Sequence, residues 1–174
     1  VLFVISSLVY LLTLEPTVSF WDCGEFILSS FRLQVGHPPG APLFLMIGRI
    51  ATFFALGDTS KVAFMMNAFS AISSGFTIMF LFWTITHLVR KVYSDEAGNE
   101  NRHLPVILGS GIIGALAYTF SDTFWFSAVE GELYALSSLV TGIVFWAMLK
   151  WEEEADDPLS GRWIILIFYI MGLG

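Results

Sequence analysis

Apolar residues in this chain come in long blocks, and the polar residues that separate them are bunched. Val62 to Val89 carries one histidine, His87, and no formally charged residue; Leu133 to Leu149 carries no charged residue at all. Blocks of that kind reach the ~17–25 residues a helix needs to cross hydrocarbon. The pattern predicts an all-α, polytopic membrane protein with spans at 1–14, 62–90, 104–121, 131–150 and 162–174. The first and last of these lack their outer flanks, so residues 1–174 are expected to form a single transmembrane module belonging to a longer chain.

A further apolar stretch, Ala41 to Leu56, differs from the rest. It is short, it carries Arg49 near its middle, and Pro38, Pro39 and Pro42 precede or open it. A charge at mid-span costs at least ~2.5 kcal/mol on insertion scales, and such a length suits an interfacial or re-entrant helix better than a crossing. The distribution of cations tests this. Arg90, Lys91 and Arg102 fall between the second and third spans, and Lys150 and Arg162 between the fourth and fifth. Both loops therefore face one side, which the positive-inside rule makes cytoplasmic. The connection from Ser121 to Gly131 has no Lys or Arg and falls on the external side. If 41–56 does not cross, residues 15–61 form one external loop with juxtamembrane helices. Asp22, Glu25 and His37 then share a face with Glu130 and Glu132. If 41–56 does cross, the two acidic groups part company. The non-crossing arrangement is the expectation carried forward.

Composition agrees and excludes other classes. Hydrophobic residues make up 56% of the chain and charged residues only 13%, where a soluble domain is about a quarter charged. Eight Lys and Arg with no basic stripe argue against nucleic acid. One cysteine, Cys23, allows no intrachain disulfide. Much of the formal charge of −7 sits in Glu152-Glu153-Glu154-Ala155-Asp156-Asp157, read as a solvated loop.

The candidate chemistry lies elsewhere. Asp22 and Glu25 are spaced i, i+3, which puts both carboxylates on one face of a helix, with Gly24 leaving room for close approach. They read either as a general base and its neighbour or as acids complementing a helix N-terminus. His37-Pro38-Pro39-Gly40 is a stiff turn that holds an imidazole for a phosphate oxygen or a proton, or simply ends one helix before the next. Arg49 reads as a phosphate ligand or as a snorkelling cation. Glu130 and Glu132 flank Gly131 at the mouth of a span, behind Phe124-Trp125-Phe126. They could position an acceptor or ligate a divalent cation, and the aromatics form an interface belt. Tyr134, Asn67 and Cys23 read as packing residues. No glycine-rich phosphate loop, Ser-His-Asp order or zinc spacing is present, so no metal ligand and no cofactor is assigned, and a divalent cation stays open.

Two stretches carry a resemblance. Asp22-Cys23-Gly24-Glu25 followed by Gly36-His37-Pro38-Pro39-Gly40-Ala41-Pro42-Leu43-Phe44 resembles a family of polytopic proteins in the GT-C glycosyltransferase superfamily that includes transmembrane protein O-mannosyltransferases. Trp125-Phe126-Ser127-Ala128-Val129-Glu130-Gly131-Glu132-Leu133-Tyr134-Ala135-Leu136 is similar to a second segment of that family. The resemblance implies a GT-C-like N-terminal helical module. It implies transfer of a sugar, mannose favoured, from a polyprenyl-phosphate-linked donor to an acceptor hydroxyl of a protein or glycan. In that reading Asp22 is the base and Glu25 orients acceptor or sugar. His37 and Arg49 lie near the lipid phosphate, and Glu130, Glu132 and Tyr134 complete the substrate site. The related enzymes carry adjacent Asp-Glu where this chain has Asp-x-x-Glu, which leaves the base open between Asp22 and Glu25. The alternative is a transporter or channel that uses the four acids as a proton or cation relay.

Overall fold

The computed structural model describes residues 1–38, 40–93 and 100–173, without the side chains of 100–102. Pro39 of the His-Pro-Pro-Gly turn, residues 94–99 of the loop between Arg90 and His103, and the Arg102 side chain lie outside the described residues. Within them the fold is all-α: α1 (Leu2–Leu12), α2 (Cys23–Arg32), α3 (Pro42–Phe53), a 3-10 turn (Thr59–Lys61), α4 (Val62–Tyr93), α5 (Glu100–Thr119), α6 (Asp122–Val129), α7 (Leu133–Glu153) and α8 (Gly161–Leu173).

Among the described residues two helices, Thr59–Tyr93 and Leu133–Glu153, are long and apolar enough to cross a membrane. A third span arises if α5 and α6 count together, although they meet at a bend of 65°. The segment 121–131, read from the sequence as a plain connection, is thus helical over Asp122–Val129. Ser121 adopts an extended conformation at its start and Glu130 another at its end, so two backbone breaks isolate a short helix that the apolar pattern alone does not separate.

α4 is the axis of the bundle, packed against α1, α3, α5, α6 and α7. Small residues let α1 approach it closely. A Cβ on Gly75 would stand 2.0 Å from Ser7 Oγ, and Ser7, Ser70, Ala71 and Ser74 are buried around that contact. The outward faces stay apolar: Ile113, Ile165 and Phe168 are all exposed, as expected of surfaces that meet lipid rather than water.

Ion pairs mark one end of the bundle. His87 near the end of α4 lies 3.1 Å from Glu153 at the end of α7, and Lys91 lies 2.5 Å from Glu152. Arg162 at the start of α8 lies 2.7 Å from Glu154. The opposite end holds the starts of α4 and α7 together with α2 and α3. There α3 spans about 18 Å at 1.5 Å per residue. Phe44 near its start lines a cavity with Leu133 and Leu136 of α7, while Ala55 just past its end joins the same apolar cluster as Val62 at the start of α4. Both ends of α3 therefore touch the same end of the bundle.

Candidate functional site

α2 begins at the site. Trp21 has a left-handed φ of 61°, a conformation that costs a non-glycine residue free energy and gathers at functional sites. It turns the chain so that Asp22 becomes the N-cap residue with Cys23 as the first helical residue. Asp22 is exposed, and its side chain makes no capping hydrogen bond. The far end of α2 closes on Leu33, left-handed at φ 50°, with the Gln34 amide donating to the Ser29 carbonyl at 2.9 Å.

Glu25, one turn into α2, is clamped by His37. Its Oε1 accepts from the His37 backbone N–H at 2.6 Å, and its Oε2 lies 3.0 Å from His37 Nδ1. Gly36 permits this approach, since a Cβ there would stand 3.1 Å from Glu25 Oε1. The Gly40 amide donates to the His37 carbonyl at 2.9 Å and closes the turn, with Gly40 at φ 81°. Only glycine adopts that φ at little cost. The hydrogen bond from His37 lowers the Glu25 pKa, and the same bond raises that of His37. Both groups remain accessible to solvent.

The second acidic pair is built differently. Glu130 ends α6 and Glu132 caps α7, and the Glu132 amide donates to the Glu130 carbonyl at 2.9 Å across Gly131. A Cβ on Gly131 would lie 2.8 Å from Asn67 Oδ1 and 3.2 Å from Ile27 Cγ1, so this tight turn fits against α4 and α2 only as glycine. Both glutamates are buried, at 5% and 8% exposure, and no Lys or Arg pairs with either among the described residues. The fully buried Cys23 thiol lies between them, 3.5 Å from Glu130 Oε2 and 3.3 Å from Glu132 Oε1. Burial pushes the Cys23 thiol up, and the adjoining carboxylates push it further. Burial also raises Glu132, with the charges of Glu130 and Asp22 adding to the effect.

Asp22 links the two groups. Its carboxylate gathers with Glu25 and His37 so that one donor atom from each lies within 4.8 Å of the others, and its charge reaches Glu132. Cys23, Glu130 and Glu132 form a second such trio, also within 4.8 Å. The arrangement thus offers an exposed carboxylate, an imidazole and a buried acidic floor at one end of the bundle.

The remaining sequence candidates fall elsewhere. Arg49 serves the far end of α2: its Nη1 donates to the Phe31 carbonyl at 2.5 Å, and its guanidinium lies over the rings of Phe31 and Phe53. That carbonyl is about 14 Å along α2 from Asp22 at 1.5 Å per residue. Tyr134 is exposed at the start of α7. Asn67 and Cys23, read from the sequence as packing residues, do more. Asn67 Nδ2 donates to the carbonyls of Glu15 and Thr17 at 2.7 and 2.9 Å, anchoring the segment that leads into Asp22. The Glu15 amide reaches the Val129 carbonyl at 3.3 Å, which ties the same segment to α6. The position of Cys23 beside Asp22 was its only sequence signal.

Comparison with known proteins adds a family. A family model described as the protein O-mannosyl-transferase TMEM260 N-terminal domain matches residues 22–174. A protein O-mannosyl-transferase tmem260 of Dictyostelium discoideum is 26% identical over 145 residues, covering 83% of this chain and 16% of the relative. The Mus musculus protein O-mannosyl-transferase TMEM260 is 28% identical over 146 residues, covering 83% of this chain and 18% of the relative. The chain therefore spans less than a fifth of the length of these relatives. No solved structure matches.

Proposed function

The chain belongs to the family of TMEM260 protein O-mannosyl-transferase N-terminal domains, and from that premise we propose that it carries the acidic half of a mannosyl-transfer site. The donor in this reading is mannose on a polyprenyl phosphate, the acceptor is a Ser or Thr hydroxyl of a protein, and the site faces the external side in a GT-C-type arrangement. One observation carries the reading: Asp22 stands exposed between the His37–Glu25 clamp and the buried Glu130–Glu132 floor, groups drawn from segments far apart in the chain.

The roles follow from what each group is free to do. Glu25 already accepts two hydrogen bonds from His37, whereas the Asp22 side chain makes no hydrogen bond among the described residues, so Asp22 is the base. The acceptor oxygen attacks the anomeric carbon, the bond from that carbon to the phosphate oxygen breaks, and polyprenyl phosphate leaves with the electron pair. The acceptor proton passes to Asp22. His37, held by Glu25 and favoured in its cationic form, faces the phosphate and stabilises the charge it gains. Glu130 and Glu132 hold the start of α2 through Cys23 and bias the site toward cations and hydroxyl donors. Arg49, engaged with the Phe31 carbonyl, secures α2 rather than the phosphate.

A relay across the membrane would set its acids along a span. Here all four carboxylates lie at helix ends, which favours the transferase. The test is Asp22→Asn in the full-length parent, assayed by transfer of labelled mannose from polyprenyl-phosphate mannose to an acceptor peptide. The expected loss is ~10²–10⁴-fold, the usual range for a general base, with membrane insertion unchanged. Full transfer by this variant would remove Asp22 from the base role.

A further inference from the structure

The buried trio at the start of α2 has too many acceptors for its donors. Glu130 and Glu132 are almost fully enclosed, and no Lys, Arg or His meets them among the described residues. The one side-chain donor they have is the Cys23 thiol, and a thiol carries a single proton for two carboxylates. A third unpaired acceptor lies against the turn that joins the two glutamates. Asn67 is fully buried, and its amide nitrogen is fixed by the carbonyls of Glu15 and Thr17. That fixes its amide orientation and turns Oδ1 toward Gly131, the residue between the two glutamates, where a Cβ would lie 2.8 Å away. Asn67 Oδ1 has no hydrogen-bond partner. Burying unpaired carboxylates and an unpaired amide oxygen in one turn is costly, and a cation bound by the trio offsets the cost of the carboxylates.

The donor set also has the right size. In a tetrahedral zinc site, with Zn–S of about 2.3 Å and Zn–O of about 2.1 Å, the sulfur-to-oxygen edge is about 3.6 Å. The Cys23 sulfur lies 3.5 Å from Glu130 Oε2 and 3.3 Å from Glu132 Oε1. All three donor atoms fall within 4.8 Å of one another, so small side-chain rotations bring the two oxygens to a common ion. Sulfur in the set selects a thiophilic or borderline cation over magnesium or calcium, which prefer oxygen alone.

We propose that Cys23 Sγ, Glu130 and Glu132 bind a divalent cation of the zinc type, with Asn67 Oδ1 against the Gly131 turn that joins the two glutamates. The ion joins the first residue of α2 to the junction of α6 and α7, and so sets the position of Asp22 next to it. Loading releases the Cys23 proton to solvent, because the ligand is the thiolate. The assignment is independent of the reaction: it would stand if the protein proved not to transfer mannose.

Cobalt(II) is the probe. The purified full-length parent, stripped with chelator, is titrated with Co2+ and compared with Cys23→Ser. The parent should show a near-ultraviolet thiolate-to-cobalt band that Zn2+ abolishes and that Cys23→Ser lacks, and Zn2+ should raise the melting midpoint of the parent but not of that variant. Should Cys23→Ser fail to fold, Glu130→Gln decides. It should keep the thiolate band while binding Co2+ at least tenfold more weakly. Spectra that are the same in parent and Cys23→Ser, or Co2+ affinity in Glu130→Gln equal to that of the parent, would overturn the site. No cobalt binding at all would also overturn it, and would mean that the two glutamates share a proton instead.

Discussion

Both ends of this helical bundle are rich in charge, and they treat it in opposite ways. At the end formed by the last turns of α4 and α7, Glu152, Glu153 and Glu154 each have a cationic partner. His87 faces Glu153, Lys91 faces Glu152, Arg162 and the Trp163 indole both reach Glu154, and Lys150 pairs with Glu153. Most of these groups are well exposed. At the other end Asp58 pairs with Lys61 and Glu25 with His37, while Glu130 and Glu132 are buried beside a thiol with no Lys or Arg among the described residues. Exposed, neutralised pairs contribute little to stability and tolerate loss. Buried like charges are costly, and they mark places where a protein spends stability on binding or chemistry. In the proposed reading the difference separates a scaffold end from a working end within one small bundle.

Substitutions can break that contrast, beginning with the largest effects. Beyond the loss expected from Asp22→Asn, Gly131→Val should be the most damaging change at the acidic end. Its side chain would meet Asn67 Oδ1 and Ile27, overpacking that costs about 1–3 kcal/mol. By displacing the carboxylates it should also cost about 10²-fold in transfer. Thermal unfolding and transfer assays on the full-length parent measure both. Glu25→Gln keeps an acceptor for the His37 amide but loses the charge that holds the imidazole cationic, so transfer should fall by about tenfold, less than the ~10²–10⁴-fold of a group that itself moves the proton. A rise in donor KM should accompany it.

The pH dependence is smaller and its sign is fixed. His37 is raised above its ordinary value of 6.5 and Glu25 is lowered below its ordinary 4.5. The His37 contribution is complete below 6.5 and is lost as pH rises through its raised value. The Glu25 contribution is complete above 4.5 and is lost as pH falls through its lowered value. Donor binding should therefore hold steady between those limits and weaken above the raised His37 value, and His37→Gln should remove that alkaline limb. The smallest effect belongs to the opposite end. Glu154→Gln removes the partner of Arg162 and Trp163 and should leave transfer within about twofold of the parent, because exposed pairs of this kind do little.

Much of this arrangement was legible in the order of residues. The apolar blocks at 62–90 and 131–150 match the two long helices, because a bilayer-length run of uncharged residues has few other ways to fold. Pro42 announced the start of α3, where it stands at the first turn. The two acidic groups were visible as motifs. Their internal wiring was not. Spacing i, i+3 made Asp22 and Glu25 neighbours, yet the helix begins after Asp22, which leaves Asp22 outside the ladder while Glu25 turns to His37. The place of Cys23 between Glu130 and Glu132 depends on residues 107 and 109 positions away, and local pattern carries no trace of such contacts. Arg49 gave two plausible readings, and the carbonyl it meets belongs to a helix end that only packing brings near.

The central claim is that the motif around Asp22 and the motif around Glu130 form one site on one side of the membrane. Single cysteines at Gln34, Asp122 and Asp156, all exposed polar positions, can be placed in the full-length parent. An impermeant thiol reagent is then added to the external side of intact membranes. The account predicts labelling at 34 and 122 and none at 156 until the membrane is opened. Labelling of 34 and 122 from opposite sides would contradict it, since Asp22 and Glu130 could not then share a site.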